Sequence, residues 1–339
     1  MASIKKKFPY PLVNAHTHAA MVAFRGLAED LPFYDWLEKH IWPMEREKVS
    51  PAFVYENTKR AIAEMKKNGI CIFAEMYFFE DEVARAAKEM NMSVLIGEGL
   101  IDFPSPSYKT FEEGLEITEG LLEKYKDNEL VNVSVSPHSI YTVSENNLAK
   151  AKELTRKYGA IFHVHLAETK KEFDDCKEKN GLTPVEYANQ LGLLDEKALL
   201  AHCVWLTDKD IEILARTKAN VVHCPMSNLK LGSGIAPVKK LIEAGVNVCL
   251  GTDGAASSNR LDIWEAGKIA VLLQKGIGGD PACLSAKIAV KMMTVNGFKA
   301  LGIKEFSGKS ISQMEKEIDA EENFNYLYEL QAEDLIVEV

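Results

Sequence analysis

The stretch VNAHTHAAM, residues 13–21, places two histidines two positions apart at the end of a short apolar run. Successive side chains of a β-strand point to opposite faces, so His16 and His18 share a face if this run is a strand. A packed or surface pair of histidines would show the same spacing. The residues of the other strands are needed to distinguish a packed histidine pair from a functional site.

Seven further apolar runs follow and alternate with helical patterns. With the first run, the predicted strands cover residues 11–16, 70–78, 93–100, 130–136, 160–166, 198–204, 220–224 and 246–251. The predicted helices cover residues 51–67, 81–90, 111–126, 144–158, 185–192, 208–217, 237–244, 261–275 and 285–301. Near-continuous apolar strands separated by helices indicate a parallel sheet that is covered on both faces. Eight such units predict an α/β fold, the (β/α)8 TIM-type barrel, with a doubly wound open sheet as the alternative.

The charge distribution limits the classes of partner. The 339 residues are 47% hydrophobic and 27% charged, and the net charge of −10 argues against binding to nucleic acid or to an anionic membrane. Residues 305–339 hold ten Asp and Glu against two Lys. We interpret them as a short acidic C-terminal extension, which ends in one vestigial strand-like segment, after a barrel of residues 1–304.

Cysteine usage and hydropathy predict a cytoplasmic protein. The six cysteines are scattered without a Cys-x-x-Cys pair, and several lie in apolar runs, so we interpret them as reduced thiols. No run of 18 apolar residues occurs, and no apolar segment follows the basic residues near position 5. We therefore expect neither secretion nor membrane insertion.

Seven of the eight histidines lie at the C-terminal ends of predicted strands, where barrel enzymes carry their active sites. The exception is His40. The residues at strand ends are His16, His18, His138, His163, His165, His202, His223 and, after the eighth strand, Asp253. Scattered core histidines would not line up in this way. Three histidines and one aspartate with an open coordination position suit Zn²⁺ or Fe²⁺ in a catalytic site.

Such a cation lowers the pKa of bound water and supplies a nucleophile at neutral pH. The chain lacks a phosphate-binding Gly-x-x-x-x-Gly-Lys-Ser/Thr loop and a dinucleotide-binding fingerprint. It also lacks the Pro-Cys-x-x-Cys motif of a different class of zinc deaminases. Metal-dependent hydrolysis is the chemistry that this pattern favours.

Six stretches carry a resemblance to a known family. They are, in chain order over residues 11–302, VNAHTHAAMVAFRGLAEDLPFYDWLEKHIWPME, SPHSIYT, HVHLAET, LLAHCVWL, SNLKLGSGIAPV and LGTDGAASSN. The chain resembles the amidohydrolase superfamily and, within it, the 5'-methylthioadenosine/S-adenosylhomocysteine deaminase group. The His-x-His pair and Asp253 are typical of the superfamily as a whole. The RGLAEDLP and WLEKHIWPME segments are typical of the adenosine-type deaminases within it.

The resemblance implies a role for each matching residue. The implied metal ligands are His16, His18, His165 and Asp253. Glu168 is implied to shuttle protons to the purine ring, and His202 to orient and polarise the attacking water. The residues implied around the nucleoside are Trp36, Glu45 and His138. The expected cofactor is one divalent metal, with Zn²⁺ favoured and Fe²⁺ as the alternative.

The chemistry of deamination fits these roles. An adenine ring needs hydroxide at C6, a proton at N1 and a proton on the departing ammonia. Asp253 can accept the proton of the water, and Glu168 can pass a proton to the ring, which is general acid–base catalysis. Glu45 can accept hydrogen bonds from two ribose hydroxyls, although a solvated loop carboxylate is the alternative. Trp36 serves equally well as a packing residue, and His163 fits the core better than a ligand position.

Two features depart from the family pattern. About ten residues precede the first strand, so we expect no complete β-sandwich of the kind that family members build from both ends of the chain. Glu98 ends the third strand, where some relatives carry a basic residue. We expect Glu98 to face the substrate near the 5' end of the nucleoside, unless a neighbouring amide or Lys109 holds its carboxylate.

The sequence thus predicts a metal-dependent aminohydrolase that acts on a small adenosine-like nucleoside. Candidate substrates are 5'-methylthioadenosine, S-adenosylhomocysteine, adenosine and 5'-deoxyadenosine, each giving the inosine analogue and ammonia. The alternatives are deamination of another ring, such as an aminofutalosine-type nucleoside, guanine or an s-triazine, and a non-catalytic barrel. A homo-oligomer is left open.

Overall fold

Parallel strands surround the core of the computed structural model, which describes residues 6–324, 326–331 and 335–337. The strands are β1 Lys6–Phe8, β2 Leu12–Thr17, β3 Ile70–Glu75, β4 Ser93–Ile96, β5 Gly99–Leu100, β6 Val131–Pro137, β7 Ile161–Leu166, β8 Ala198–His202, β9 Asn220–His223, β10 Asn247–Leu250, β11 Glu305–Phe306, β12 Lys309–Ser310 and β13 Leu335–Val337. Hydrogen-bonded neighbours follow the order β2-β3-β4-β6-β7-β8-β9-β10, and β5 pairs with β6. Every residue of β2, β3, β8 and β9 is buried, as expected for strands between a core and a layer of helices.

Side chains and one backbone bond close the barrel between β2 and β10. The Asn14 amide donates to Thr252 Oγ1 at 2.8 Å and accepts from the Thr252 backbone N–H at 2.9 Å. The Asp253 N–H donates to the His16 carbonyl at 3.0 Å. A Cβ at Gly251 would lie 2.8 Å from the Cβ of His16, so glycine allows this close approach. The predicted TIM-type barrel is confirmed.

The helices cover the outside of the barrel and fill its connections. They are α1 Phe33–Trp36, α2 Trp42–Lys48, α3 Pro51–Lys67, α4 Glu80–Glu89, α5 Phe111–Lys124, α6 Glu145–Tyr158, α7 Lys170–Asn180, α8 Pro184–Gln190, α9 Asp208–Thr217, α10 Pro225–Lys230, α11 Val238–Glu243, α12 Ala255–Ser258, α13 Ile263–Gly278, α14 Ala286–Met293, α15 Val295–Ala300, α16 Ile311–Ala320 and α17 Tyr326–Glu329. A 3-10 helix, Ala19–Phe24, follows β2. Across the described part of the chain, no helix is long and apolar enough to cross a lipid bilayer.

Local sequence explains where several helices begin and end. Thr183 and Thr207 start α8 and α9 with capping boxes, in which each threonine exchanges hydrogen bonds with the residue three positions later. Gly159 ends α6 in the left-handed conformation, with φ of 63°, as its position after a helical pattern predicts. The predicted helix 285–301 is two helices, because the backbone of Thr294 leaves the helical region between α14 and α15.

The segment from α1 to α2 is one helix with an irregular turn. A π-helical turn, Leu37–Ile41, joins α1 to α2, and the Trp42 N–H donates to the Leu37 carbonyl five residues earlier. Pro43 follows directly and has no N–H to donate. Such turns insert an extra residue and recur at functional sites. This one brings the side chains of both Ile41 and Trp42 into the lining of the main cavity.

The terminal segments pack together on one side of the barrel. Strands β1 and β13 pair in parallel, and the ring of Phe8 lies 5.2 Å from that of Trp264 and 6.3 Å from that of Tyr326. Buried apolar residues of α16 join the same core as the barrel helices. The division at residue 304 and the separate acidic extension stay predictions, and residues 332–334 and 338–339 lie outside the described residues.

Candidate active site

The four implied metal ligands converge at the C-terminal ends of the barrel strands. His16 and His18 come from β2, His165 comes from β7, and Asp253 follows β10. His165 Nε2 lies 3.1 Å from His16 Nε2, and Asp253 Oδ1 lies 3.2 Å from His18 Nε2 and 3.6 Å from His16 Nε2. Donor atoms this close together could hold a divalent cation.

His202 belongs to the same cluster. Within the described residues, two overlapping groups of candidate ligand atoms lie within 4.8 Å of one another: His16, His18 and Asp253, and His16, His165 and His202. His202 ends β8, and its Nδ1 is 2.8 Å from Asn228 Oδ1. With Nδ1 held by this amide, Nε2 is the ring nitrogen left to face the cation site.

Outer partners orient each histidine ligand. The Nδ1 atom of His165 donates to the His138 carbonyl at 2.8 Å, and that of His18 donates to the Met76 carbonyl. The Nδ1 atom of His16 lies 2.9 Å from His163 Nε2. A hydrogen bond at Nδ1 fixes the tautomer and leaves the Nε2 lone pair for a metal. His163 thus contacts the implied ligand His16 from within the buried core, in agreement with its interpretation as a core residue.

The electrostatics of the cluster favour a bound cation. Burial lowers the pKa of His16 to about 4, which keeps its imidazole neutral and able to coordinate. Burial opposes a charge on Asp253, but the neighbouring His16 and His18 side chains hold the pKa of Asp253 well below its usual range. Burial opposes a charge on His18, but its contact with Asp253 raises the pKa of His18 to about 9. Neutral imidazole and ionised carboxylate are the forms that a divalent metal requires, so metal binding would displace a proton from His18.

Several short contacts hold Asp253 in place. Its Oδ2 accepts from the hydroxyls of Ser227 at 2.6 Å and Ser257 at 2.9 Å, and its Oδ1 accepts from the Gly254 N–H at 2.7 Å. Its backbone is left-handed, with φ of 62°, a conformation that aspartate tolerates better than most residues. The two serines were not among the predicted site residues, because serines are common in loops and nothing in the pattern singles them out.

Glu168 lies beside His202 in the same buried environment. Its Oε1 is 3.8 Å from His202 Nδ1 and 3.5 Å from Ser233 Oγ, and 4% of the residue is exposed. Burial raises the pKa of Glu168, which helps it carry a proton near neutral pH. Glu172 accepts from the backbone N–H groups of Ala167 at 2.9 Å and Glu168 at 2.7 Å, so it fixes the turn that carries Glu168. The sequence pattern does not single out Glu172, which reads as an ordinary charged residue in the first turn of a helix.

One cleft joins the cation site to the barrel mouth and encloses about 770 Å³, measured out to its open end. Its lining includes Glu168, His202 and Asp253, and also Trp36, Glu45 and His138. The structure therefore brings three of the four residues predicted around the nucleoside into the same cavity. A cavity of this size suits a small ligand.

Glu45 is a buried carboxylate in this lining. It is 7% exposed, and burial raises its pKa to about 7, although the Tyr77 hydroxyl and the nearby His18 act in the opposite direction. Tyr77 is also buried and lines the cavity, and its hydroxyl makes no hydrogen bond of normal geometry within the described residues. Nothing in the sequence pattern distinguished Tyr77 from a packed strand residue.

Glu98 does not reach the cavity, and the expectation that it faces the substrate is wrong. Its carboxylate accepts from the backbone N–H groups of Phe79 at 3.2 Å and Glu80 at 3.1 Å, and from the hydroxyl of Ser107. Glu98 is fully buried and caps the N-terminus of α4, where a carboxylate stabilises unpaired amides. Of the two alternatives considered, the neighbouring amide is the one that the structure bears out.

Fold and site together define a barrel hydrolase with a histidine- and aspartate-rich cation site. The sequence profile of the amidohydrolase family matches residues 12–309, and the chain belongs to this family. Metal dependence is a property of the family, and the converging ligands support a divalent metal here.

Three relatives of this chain carry the names of adenosine-type deaminases. The chain is 46% identical over 296 residues to a 5-methylthioadenosine/S-adenosylhomocysteine deaminase of Thermodesulfovibrio yellowstonii, covering 87% of this chain and 67% of the relative. It is 43% identical over 292 residues to a 5'-deoxyadenosine deaminase of Methanothrix thermoacetophila, covering 86% of this chain and 69% of the relative. A crystal structure of an adenosine deaminase from Xanthomonas campestris with bound zinc aligns with a TM-score of 0.86 at 37% identity, over 89% of this chain and 69% of that one.

Proposed function

We propose that the chain is a metal-dependent aminohydrolase that converts an adenosine-like nucleoside and water into the inosine analogue and ammonia. The observation that carries this proposal is one cavity lined by His18, His165, Asp253, the buried Glu168 and the buried Glu45, with the buried His16 in contact with these possible metal ligands. The names of these three relatives, each a deaminase of an adenosine-type compound, support the same reaction.

We propose Zn²⁺ as the resident metal, because three imidazoles and one carboxylate suit zinc and the related adenosine deaminase structure contains it. When bound, the metal would make water a nucleophile at neutral pH. His16, His18 and His165 would hold it through Nε2, and Asp253 through a carboxylate oxygen. The same ligands also accept Fe²⁺.

The protein's own residues then handle the protons. Asp253 accepts a proton from the water that attacks C6, and His202 orients that water through Nε2. Glu168 delivers a proton to N1 of the ring, so that C6 becomes tetrahedral without a charge building up on the purine. The proton held by Asp253 then moves to the amino group, the C6–N bond breaks, and ammonia leaves. Glu168 takes up the hydroxyl proton as the oxygen on C6 becomes a carbonyl, which restores both carboxyl groups. A positioned acid–base group of this kind contributes about 10²- to 10⁴-fold to the rate.

We propose that Glu45 receives the ribose. A buried carboxylate with no lysine or arginine partner in the described cavity lining is costly unless a ligand supplies donors, and the 2'- and 3'-hydroxyls of a ribose are two adjacent donors. Trp36 and His138 line the same cavity as Glu45 and would contact the sugar and the base. A free base such as guanine or a triazine would leave Glu45 unpaired, which favours a nucleoside over those alternatives.

We also propose that the enzyme acts in the cytoplasm. All six cysteines are unpaired in the structure, and five of them are buried, which agrees with reduced core thiols.

The test is ammonia release from the purified protein with adenosine, 5'-deoxyadenosine, 5'-methylthioadenosine, guanine and an s-triazine. We expect turnover of the three adenosine-type compounds, and an absorbance shift as adenine becomes hypoxanthine. Asp253→Asn serves as the matched inactive control. Turnover of guanine or the triazine without any turnover of the adenosine compounds would contradict the proposal.

A further inference from the structure

The carboxylate of Glu168 has few partners, although the proposed chemistry requires it to meet one ring nitrogen. Its only hydrogen bond from the described residues comes from Ser233 Oγ at 3.5 Å, and His202 Nδ1 lies 3.8 Å away. The carboxylate of Asp253, in contrast, accepts three hydrogen bonds of 2.6 to 2.9 Å. The direction of the Glu168 side chain must therefore be set mainly by its backbone.

The backbone before Glu168 turns in a conformation that needs support. Ala167, directly after β7, is left-handed with φ of 54°, which is unfavourable for a residue that carries a Cβ. Its carbonyl accepts from the N–H groups of Val204 and Trp205, each at 2.9 Å. The N–H groups of Ala167 and Glu168 both donate to the carboxylate of Glu172. Glu172 thus holds this turn from the side of α7.

The helices α7, α8 and α9 begin with the same sequence signal, a threonine followed three residues later by an acid. At α8 and α9 the acid accepts from the N–H of the threonine itself, which completes a capping box. At α7 the hydroxyl of Thr169 accepts from the Glu172 N–H at 3.1 Å, but the Glu172 carboxylate reaches the two residues before the threonine. A carboxylate that caps the helix elsewhere holds the preceding turn here.

These two backbone contacts account for the burial of the Glu172 carboxylate. Glu172 is 3% exposed, and no lysine or arginine pairs with it in the described part of the chain. Its neighbours Lys170 and Lys171 pair instead with Asp174 and Asp175, on the exposed side of α7. A buried carboxylate is costly without compensating hydrogen bonds, and both oxygens of this one are committed to backbone amides.

We propose that Glu172 is a positioning residue for the proton shuttle: by binding the N–H groups of Ala167 and Glu168, it fixes the backbone that aims the Glu168 carboxylate at the ring nitrogen. This inference rests on the proposed function, in which Glu168 carries the proton. With the backbone fixed, the carboxylate needs no strong partner and stays free to gain and lose a proton. A displacement of about 1 Å can lower a rate by about 100-fold, so loss of this support should act on the chemical step.

Glu172→Gln tests the proposal, with Asp210→Asn as the matched control. The amide of glutamine has one acceptor oxygen, and its NH₂ group would oppose the second backbone N–H. Asp210 is the corresponding acid of α9: it is fully buried, both of its oxygens accept hydrogen bonds, and it lies outside the cavity lining. Both variants should lower the melting temperature, because each leaves a buried donor without its acceptor.

Only the variant of Glu172 should affect the reaction. We expect kcat for 5'-methylthioadenosine to fall about 10- to 100-fold in Glu172→Gln, with KM and metal content at their wild-type levels. We expect kcat to stay unchanged in Asp210→Asn. A kcat within about 2-fold of wild type in Glu172→Gln, or an equal fall in both variants, would overturn the inference.

Glu172→Asp is the second variant, which serves if the buried amide prevents folding. It keeps the charge and shortens the side chain by one methylene group, so the carboxylate cannot reach both N–H groups without a shift of the turn. We expect kcat to fall about 3- to 10-fold with metal content unchanged. Wild-type kcat in this variant would contradict the proposed positioning.

A double variant distinguishes positioning from a general loss of structure. Glu172→Gln is combined with Glu168→Gln, which removes the group to be positioned. If Glu172 acts through Glu168, the double variant should keep the kcat of Glu168→Gln to within about 3-fold, because residues that act together are not additive. A further fall of about 10-fold or more would show that Glu172 supports the site independently of Glu168 and would overturn the inference. No ammonia release from any adenosine compound by the wild-type enzyme would instead overturn the proposed function.

Discussion

The two parts of the cavity differ in how they are built. At the cation site, side chains come from the ends of β2, β7 and β8 and the loop after β10, and nearly every polar atom is fixed by a buried partner. Five apolar residues of the lining come from the irregular helix before α3 and from the residues after β3 and β5, and we call them the apolar wall: Leu37, Ile41, Trp42, Phe78 and Ile101. Changes at the cation site should therefore affect the chemistry, whereas changes at the wall should affect the choice of substrate.

The largest effect is expected at Asp253. Asp253→Asn keeps the shape of the side chain but removes a ligand charge and the acceptor for the water proton. We expect loss of bound metal and a fall in kcat of about 10⁴-fold, the upper range for an acid–base group. Metal analysis and ammonia release on the same preparation check this. Wild-type turnover in Asp253→Asn would show that Asp253 takes no part in the reaction.

A variant of Glu168 distinguishes loss of proton transfer from loss of metal binding. Glu168→Gln removes the proton shuttle and leaves the four ligands untouched. We expect kcat to fall about 100-fold or more while the metal content stays at the wild-type level. If metal content falls in step with kcat, Glu168 acts as a ligand or a structural support instead.

Glu45 lines the same cavity as both parts, and its variant should affect binding. Glu45→Gln should lower kcat/KM for adenosine by about 10- to 150-fold, the equivalent of about 1.5–3 kcal/mol for hydrogen bonds to a charged group. The 2'-deoxy analogue has lost one of the two donors and should be affected less. Equal losses on both substrates would show that Glu45 does not contact the ribose.

Glu45 should also make kcat/KM for adenosine depend on pH. Burial raises the pKa of Glu45 to about 7, so the carboxyl is mostly protonated below that pH and ionised above it. Only the ionised form accepts from both ribose hydroxyls. We therefore expect kcat/KM for adenosine to rise through about pH 7, and this step to disappear in Glu45→Gln. A wild-type step that persists in the variant would assign the titration to another group.

The smallest effect is expected at Tyr77, whose buried hydroxyl has no hydrogen-bond partner of normal geometry among the described residues. Tyr77→Phe removes a hydroxyl that lies near Glu45 without a hydrogen bond of normal geometry, so we expect the free energy of unfolding to change by at most about 1 kcal/mol. If the ribose or the ionised Glu45 engages this hydroxyl during binding, KM for adenosine should rise about 3- to 10-fold with kcat unchanged. Thermal denaturation and steady-state kinetics measure the two quantities separately. Unchanged KM would leave Tyr77 as a packing residue.

The difference between the two parts also explains what the sequence could predict. Parallel strands end at one rim of a barrel, so polar residues that follow apolar runs must come together there. This rule groups seven histidines and Asp253 at one rim, and only the family resemblance selects His16, His18, His165 and Asp253 among them as ligands. The helix that carries Glu45 was not predicted, because the π-helical turn and Pro43 break the 3.6-residue period.

Residue type alone could not assign Glu98. A carboxylate at the end of a barrel strand can face the cavity or turn back to cap a helix, and the choice depends on the path of the chain after the strand. Here the unpaired N–H groups of Phe79 and Glu80 lie within reach and take the carboxylate. The same limit applies to the apolar wall, since an apolar residue in a loop has the same sequence signature whether it packs in the core or faces a ligand.

The most direct test is a titration of metal content against deamination. The protein is stripped with a chelator, reloaded with increasing Zn²⁺, and assayed for ammonia release from 5'-methylthioadenosine at each step. The account predicts that activity is lost on stripping and returns in proportion to bound metal, with a plateau at one ion per chain. Full activity in a stripped protein that contains no detectable divalent metal would contradict it.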